Sequence, residues 1–418
     1  MDRPMRLNHR RLLTSATLAA SSVLLSSGAV ADMMTDMFTD AYDGKFDASN
    51  YLSENAYGFL PVPIIITDPA LGGGGLGMIG LFFHETDEER EQRVEAAKGA
   101  ENAQRYLLPP SVSAIAGAYT ANDSWFIGGG HFGFWKQDTV RYEGFFGYGD
   151  FNLDYYNDFS DGSILGDSIG EREFNFKTSG YGVIQNLKFR LPDSKVFLGV
   201  RQQFTTTEIG LNKKLAADCG LAQPACDQIL NRVNDVSVET TLSGVGVLAL
   251  YDNRDNVFSP QKGYNYEVRV TRYDELFGSD ADFTSVEFKG LNYWPLSKKW
   301  GLGARLESNS VDGENVPLNS YPYIDMRGIP AMRYQGDVAT MAEIEGRYLL
   351  NFRWTLTGFI GAGRTASSYS DIGDSSSQVA KGLGFRYLIA RRYGFRAGVD
   401  IARGPEETAY YITAGSAW

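Results

Sequence analysis

The chain has 418 residues, with 51 acidic and 39 basic side chains that give a formal net charge of −12. This acidic balance argues against a nucleic-acid partner, because proteins of that class need a basic surface. Glycine (47 residues), tyrosine (24) and phenylalanine (25) are abundant, as expected where apolar and polar residues alternate along β-strands. Soluble all-β proteins share this composition.

The segment 1–31 has the pattern of a secretory signal peptide. Four basic residues, Arg3, Arg6, Arg10 and Arg11, precede a largely apolar stretch over 12–28, and Ala29-Val30-Ala31 offers a small-x-small cleavage site. A retained transmembrane helix is the weaker interpretation, because serines and threonines interrupt the apolar stretch. The mature chain is expected to begin at Asp32. Since 1–31 holds four Arg and one Asp, its removal leaves a net charge of −15.

Beyond Asp32 no stretch reaches the roughly 18 consecutive apolar residues that a transmembrane helix needs. Period-two alternation recurs instead, in segments of about 9–12 residues, the length of a tilted strand that crosses a bilayer. From Phe352 to Ile360 the even positions are apolar or glycine, and Arg353, Thr355 and Thr357 occupy odd positions. One face of such a strand suits lipid and the other a wet lumen, although a solvated sheet over a core shows the same pattern.

Sixteen such segments are present, an even number, as a closed bacterial barrel requires. The predicted fold class is all-β: a transmembrane antiparallel β-barrel over 59–418 with both termini periplasmic. Strands are expected near 59–67, 72–84, 111–121, 124–135, 139–150, 172–191, 195–211, 236–251, 264–274, 282–294, 299–310, 338–349, 353–363, 378–389, 394–403 and 408–418. Long extracellular connections are expected at 151–171, 212–235, 311–337 and 364–377, and short periplasmic turns at 192–194 and 295–297.

Two further segments are expected in the periplasm. The segment 32–58 precedes the barrel and is too short to bury a core alone. The segment 85–106, dense in Glu, Lys and Arg, is predicted to be helical, and a solvated surface helix is favoured over a docking site.

The small number of cysteines and histidines limits the disulfides, metal sites and catalytic groups that the chain can form. Cys219 and Cys226 lie seven apart in one polar segment, and an oxidising periplasmic route favours a disulfide between them on an extracellular loop over a metal pair. The three histidines, His9, His84 and His131, are too few for a His-based metal site or a serine-hydrolase triad. His84 and His131 are expected to be packing or interfacial residues.

A glycine run at 72–75 is the one feature that suggests a phosphate-binding loop. It lacks the Lys-Ser/Thr that such a loop needs, and its context is β. The sequence therefore predicts no enzyme, no cofactor and no metal site.

The sharpest motif spans 252–263. Asx side chains bond their own backbone, proline fixes φ and glycine permits positive φ, so this string predicts an ordered turn between two strands. Its D-x-R-D-x-x-F-x-P-x-x-G pattern resembles the mid-barrel periplasmic turn of the BamA/TamA superfamily, also called the bacterial surface antigen family. The defining positions are Asp252, Arg254, Asp255, Phe258, Pro260 and Gly263.

A second resemblance to this family is the string Met326-Arg327-Gly328-Ile329-Pro330. In the family, a V-R-G-F/Y loop folds back into the barrel, and its arginine pairs with acidic residues on the lumen wall. The resemblance gives this role to Arg327 and Gly328. Glu343 and Glu345 are the expected partners, because an unpaired buried charge is strongly unfavourable.

The chain departs from this second pattern at two positions. Ile329 stands where the family has an aromatic residue, and Gly361 stands where an acidic residue is usual. The loop is still expected to insert, with Arg333 nearer its surface.

The third resemblance is the C-terminus, which ends on an aromatic residue as outer-membrane barrel signals do. Its alternate positions, Tyr410, Ile412, Ala414, Ser416 and Trp418, are expected to face lipid. The resemblance covers nearly all the mature chain and is strongest over 245–418. Assembly members of the family carry POTRA domains before the barrel, for which 32–58 is too short, so a short form is expected.

The resemblance implies a non-enzymatic barrel of the bacterial outer membrane, accessory to membrane biogenesis or to protein or lipid transport. Its first and last strands would meet in a weak seam, its surroundings would be outer-membrane lipid, and a periplasmic protein would supply substrate capture. The competing prediction is a stand-alone pore for small solutes, with Arg353, Glu343, Glu345 and Arg396 setting ion preference. A lipid-modifying enzyme is disfavoured because the sequence shows no nucleophile–base set.

Overall fold

The computed structural model describes residues 37–49, 59–66, 74–84, 111–136, 138–157, 172–211, 237–256, 259–391, 394–415 and 418. Within these ranges sixteen antiparallel strands follow one another in chain order in a single sheet. They are β1 (Phe59–Ile66), β2 (Gly75–Phe83), β3 (Ser111–Thr120), β4 (Trp125–Trp135), β5 (Val140–Asn157), β6 (Arg172–Arg190), β7 (Val196–Leu211), β8 (Ser237–Asp252), β9 (Gly263–Tyr273), β10 (Asp282–Pro295), β11 (Trp300–Glu314), β12 (Val338–Leu349), β13 (Trp354–Ala366), β14 (Gln378–Ala390), β15 (Phe395–Arg403) and β16 (Thr408–Ala414).

The predicted all-β fold of sixteen strands is confirmed, with differences at a few strand ends. β5 continues to Asn157 and β11 to Glu314, where the polar sequence predicted loops. Both extensions stay in unbroken register with their neighbours. Backbone pairing does not require apolar side chains, so these ladders continue past the length that a bilayer demands.

No helix in the described ranges is long and apolar enough to cross a membrane.

The two faces of the sheet follow the predicted alternation. On β13, Leu356 and Ile360 point outward and are 46% and 48% exposed, whereas Thr355 and Thr357 are buried on the inner face. Alternate side chains of a strand point to opposite faces, so the outer face is apolar and the inner face is polar.

We call the end of the barrel where β1 begins and β16 finishes the terminal end, and the opposite end the loop end. An aromatic belt marks the terminal end on the outer face. The ring centroid of Trp300 lies 4.8 Å from that of Tyr348, and the centroid of Trp354 lies 4.9 Å from that of Tyr387. Aromatic side chains of this kind line the membrane–water interface of barrels.

The sheet closes incompletely between its two edge strands. Cα atoms of β1 and β16 approach within 8 Å of each other, yet no hydrogen-bonded ladder joins these strands in the described part of the chain. β16 has seven residues. We call this gap between β1 and β16 the seam.

Several predictions concern residues outside the described ranges. They are the signal peptide 1–31, the charged segment 85–106, the Cys219–Cys226 disulfide and Phe258 of the turn motif. These remain predictions.

Candidate functional site

The connection between β11 and β12 folds into the barrel from the loop end. Ile324, Met326 and Ile329 on this loop are buried and pack against Met341 of β12 and Ala380 of β14. The apolar Ile329 thus packs against the wall where the family pattern has an aromatic residue.

Two glycines of β13 leave room for this loop. A Cβ atom at Gly361 would collide with Met326 Sδ, and one at Gly363 would lie 2.6 Å from Ile324 Cγ2. Protein interiors are close-packed, so neither position can hold a larger side chain without moving the loop. This explains physically why no acidic residue stands at position 361.

Arg327 lies at the tip of the inserted loop and contacts three carboxylates. Its Nη1 donates to Asp400 Oδ2 at 2.7 Å and to Glu345 Oε2 at 3.0 Å, and its Nη2 donates to Glu343. The guanidinium carbon also lies 3.5 Å from the centroid of the Phe359 ring. The structure therefore brings Arg327, Glu343 and Glu345 together and adds Asp400, which sequence reasoning missed. We call these four residues the lumen lock.

Two more arginines balance the charge of the lumen lock. Arg386 donates to both oxygens of Asp400, at 2.6 and 2.8 Å, and Arg347 Nε donates to Glu345 Oε1 at 2.8 Å. All four lock residues are less than 10% exposed. Three guanidinium groups thus face three carboxylates, and this neutralisation is what allows so many charges to be buried together.

Gly328 holds the loop tip in a conformation that other residues avoid. Its φ is +89°, and its N–H donates to the Tyr411 hydroxyl at 2.9 Å. A Cβ atom there would lie 3.0 Å from Gly404 N and 3.2 Å from Ala402 Cβ. Glycine is required by both the backbone angle and the space.

The turn motif between β8 and β9 is ordered by its own side chains at the terminal end. Asp252 accepts hydrogen bonds from Arg254 Nε and Arg141 Nη1, both at 3.0 Å. Asp255 Oδ1 accepts from the N–H groups of Gln261 and Lys262 at 2.9 and 3.2 Å. Gly263 closes the turn with a φ of +112°.

This turn is connected to the lumen lock through one side chain. Arg347 Nη1 donates to the Pro260 carbonyl at 2.8 Å, while its Nε donates to Glu345. Pro260 is almost fully buried. Arg347 therefore supports both sequence motifs at once.

Trp418 does not face lipid, and that prediction was wrong. Its Nε1 donates to Glu343 Oε1 at 2.6 Å, and its ring lies 6.1 Å from that of Tyr293. β16 ends at Ala414, and Gly415 follows it with a left-handed φ of +89°. The alternation that predicted lipid exposure therefore stops there, whereas Tyr410 and Ile412 do point outward, 53% and 47% exposed.

Sequence reasoning also missed a cluster at the terminal end. Arg353, in the turn between β12 and β13, is buried and bonds to three aspartates that precede the barrel. Its distances are 2.5 Å to Asp40 Oδ2, 2.9 Å to Asp43 Oδ1 and 2.5 Å to Asp47 Oδ2. We call residues 37–49 the N-terminal clasp. Three aspartates within eight residues were the only signal in the sequence.

The clasp also holds the turn between β14 and β15. Arg391 Nε donates to Asp40 Oδ2 at 2.6 Å, and this hydrogen bond lowers the pKa of Asp40 to about 2, although burial opposes the shift. A β-bulge between Leu388 and Ala390 interrupts the pairing of β14 with β15. Within that bulge the carbonyl of residue 389 accepts the Ala48 N–H at 2.6 Å.

Comparison with known proteins shows which family domain and which solved structures this barrel resembles. Residues 140–323 match the Omp85 superfamily domain, and no curated protein matches the chain. Among solved structures, BamA from Haemophilus ducreyi lacking POTRA domains 1–3 has a TM-score of 0.50 at 12% identity, over 85% of this chain and 69% of that one. CdiB from Escherichia coli has a TM-score of 0.51 at 10% identity, over 85% of this chain and 62% of that one.

CdiB from Acinetobacter baumannii also matches, with a TM-score of 0.49 at 11% identity, over 85% of this chain and 59% of that one. The chain thus spans less than two thirds of either CdiB structure, and identities this low concern the fold alone. Omp85 barrels work in the outer membrane, often with partner proteins, and are generally non-enzymatic. Residues 140–323, just under half of the chain, thus match the Omp85 superfamily domain, and the chain is a β-barrel protein of the bacterial outer membrane.

Proposed function

We propose that this barrel is accessory to outer-membrane biogenesis, or to protein or lipid transport, and that it acts non-enzymatically by opening at the seam. The observation that carries the proposal is the missing ladder between β1 and β16 in the described part of the chain. An unpaired strand edge in lipid leaves backbone groups without partners, which is unfavourable. A strand of a passing substrate protein is therefore stabilised there by main-chain hydrogen bonds to the edge, as in β-augmentation.

The wall beside the seam supports this proposal. The lumen lock joins the inserted loop to β12 and β15, and the N-terminal clasp joins the turns next to β13 and β14. These contacts, together with the hydrogen bonds from the Gly328 N–H to Tyr411 of β16 and from Trp418 to Glu343, hold β12–β16 together, so that opening at the seam separates β1 from this group of strands. Capture of the substrate falls to a periplasmic protein partner in this scheme.

The competing function is a pore for small solutes. Supporting it, a cavity of about 160 Å³ on the inner wall is lined by Glu267, Arg269, Glu287, Lys289 and Glu307, among others. Against it, Glu343 and Glu345 are engaged in the lumen lock and Arg353 in the clasp. Arg396 donates to the Arg353 carbonyl and to Thr355 Oγ1, at 3.2 and 3.1 Å. The charges expected to select ions are thus largely bound to other groups.

Photo-crosslinking in living cells tests the seam. A photoreactive residue is placed at Ile65 of β1 or at Ile412 of β16, with Val247 of β8 as the matched control, since all three side chains point outward and are 47%, 47% and 62% exposed. We expect adducts with newly made outer-membrane proteins at the two seam positions and few such adducts at Val247, whereas lipid adducts are expected at all three because all three face the bilayer. Equal yields of protein adducts at all three positions would refute the proposal, and a steady conductance in planar bilayers would favour the pore.

A further inference from the structure

The only two histidines beyond the predicted signal peptide meet on the outer face of the barrel. His84 follows the end of β2, and His131 lies in β4. Between them, Ser113 Oγ lies 2.7 Å from His84 Nε2 and 2.9 Å from His131 Nδ1. The two imidazole centroids are 5.6 Å apart. Strand register across β2, β3 and β4 therefore assembles a single polar node, which we call the histidine node.

The histidine node points toward lipid rather than into the lumen. Phe82 and Ile115, two residues away from His84 and Ser113 on their own strands, are 37% and 49% exposed, and Trp135, four residues beyond His131, is 42% exposed. Side chains two apart on a strand share a face. β2 ends, β3 begins and β4 ends at the terminal end, so the node lies at the rim of the barrel, at the depth of lipid headgroups.

The surroundings of the node are aromatic. The His131 ring lies 6.3 Å from that of Trp135 and 6.1 Å from that of Tyr142, and those two rings stack at 5.8 Å. The Tyr142 hydroxyl is occupied, since it donates to Gln185 at 2.9 Å. A wall of this kind shields a bound polar group from the acyl chains beside it.

The number of N–H and O–H protons on His84, His131 and Ser113 determines which kind of ligand the histidine node can bind. Ser113 has one hydroxyl proton, so Oγ donates to one imidazole and accepts an N–H from the other. The remaining ring nitrogens, His84 Nδ1 and His131 Nε2, have no hydrogen-bond partner among the described residues. One outer nitrogen then carries a proton and the other does not, and uptake of a single proton makes both of them donors. No acidic side chain pairs with either imidazole in the described ranges.

We propose that the histidine node binds the phosphate of a membrane phospholipid. The two imidazole rings, with centroids 5.6 Å apart, lie close enough together for both to donate a hydrogen bond to one phosphodiester group. The anion supplies a counter-charge that the described residues do not provide, and the position of the node at the rim selects a lipid headgroup over a soluble anion. This inference goes beyond the proposed function, because lipid binding there does not require the seam to open.

The test is native mass spectrometry of the full chain titrated with dioleoylphosphatidylglycerol, dioleoylglycerol or inorganic phosphate. The variant is His84→Gln with His131→Gln, which keeps a polar contact to Ser113 but cannot take up the proton. Thr206→Val of β7 is the control, because Thr206 shares the outward face of its strand with Val200, which is 55% exposed, and lies three strands away from the node. Folding is checked by heat-modified mobility in gels, and His84→Gln alone serves if the double variant does not fold.

We expect one tightly bound phosphatidylglycerol on the parent and on Thr206→Val. Affinity should fall at least about tenfold in the double variant, because the loss of one charge-assisted hydrogen bond alone typically weakens binding by about that factor. Dioleoylglycerol and inorganic phosphate should bind far more weakly. Retention of the lipid by the histidine variant overturns the proposal, as does binding of dioleoylglycerol or of inorganic phosphate as tight as that of phosphatidylglycerol.

Discussion

The substitution Arg327→Ala probes the lumen lock directly. In the folded barrel Arg327 neutralises Glu343, Glu345 and Asp400. In the variant, Arg347 still pairs with Glu345 and Arg386 still pairs with Asp400. Glu343 is the residue left without an ion pair in the described part of the chain. Removing one partner of a buried pair typically costs about 3–5 kcal/mol, so we expect a loss of that size in the free energy of unfolding.

The assay is heat-modified mobility: folded and unfolded barrel are separated in gels after incubation over a temperature series. Arg333 is a poor control because its side chain, although more exposed than that of Arg327 (11% against 7%), lies 3.6 Å from Glu406. Arg272 is better, since its pair with Asp274 is 3.0 Å long and its side chain is 45% exposed. Arg272→Ala should cost about 0–1 kcal/mol.

A second substitution separates two causes of the lost stability, the unpaired charge of Glu343 and the lost packing of the Arg327 side chain. Adding Glu343→Gln to Arg327→Ala removes the stranded carboxylate and should recover part of the lost stability, because an uncompensated buried charge is a large share of the cost. If Arg327→Ala unfolds at the same temperature as Arg272→Ala, the buried pair does not stabilise the barrel. The reasoning also fails if the double variant is no more stable than Arg327→Ala.

Three further outcomes are expected. Gly328→Ala should destabilise the barrel by about 1–3 kcal/mol, because its φ of +89° is unfavourable with a Cβ, whereas Gly373→Ala, where a Cβ would meet nothing within 4 Å, should be neutral in the same gel assay. The pKa of Asp40 is lowered to about 2 from an ordinary value near 3.9. The stability that ionised Asp40 gives to the N-terminal clasp is therefore complete above about pH 4 and is lost as the pH falls toward 2. Pepsin should accordingly cleave the N-terminal clasp of the parent only near pH 2 and that of Arg353→Ala already at pH 4; equal cleavage at pH 4 would count against the clasp. Finally, thiol labelling of the untreated mature protein should detect no free Cys219 or Cys226, and two labelled equivalents would contradict the disulfide.

Strand positions were predictable because alternation is a local property. The segment from Phe352 to Ile360 shows its two faces in nine residues, and each strand could be recognised without knowing its neighbours. Arg327 could be assigned a role because its motif is short and continuous. Asp400 could not, since it lies 73 residues from Arg327 and reaches it only through the register of β14 with β15.

The errors also have physical causes. The prediction for Trp418 extended the alternation of β16 past Gly415, where a single left-handed residue redirects the chain. The partners of Arg353 lie more than 300 residues away in sequence, in a segment that shows no alternation at all. The sequence does not reveal this ion-pair cluster, because Arg353 and the aspartates come together only after the barrel has folded and its turns lie at one end.

The N-terminal clasp has a mechanical consequence for the seam. Ser49 is held beside β14, whereas Phe59 begins β1 on the other side of the gap. Ten Cα–Cα steps of at most about 3.5 Å join them, so the two edges are tethered at the terminal end to within roughly 35 Å. The loop end has no such tether in the described ranges. If the seam opens as proposed, the linker sets an upper limit of that size on the separation at the terminal end, and a cargo broader than this limit would have to leave toward the loop end.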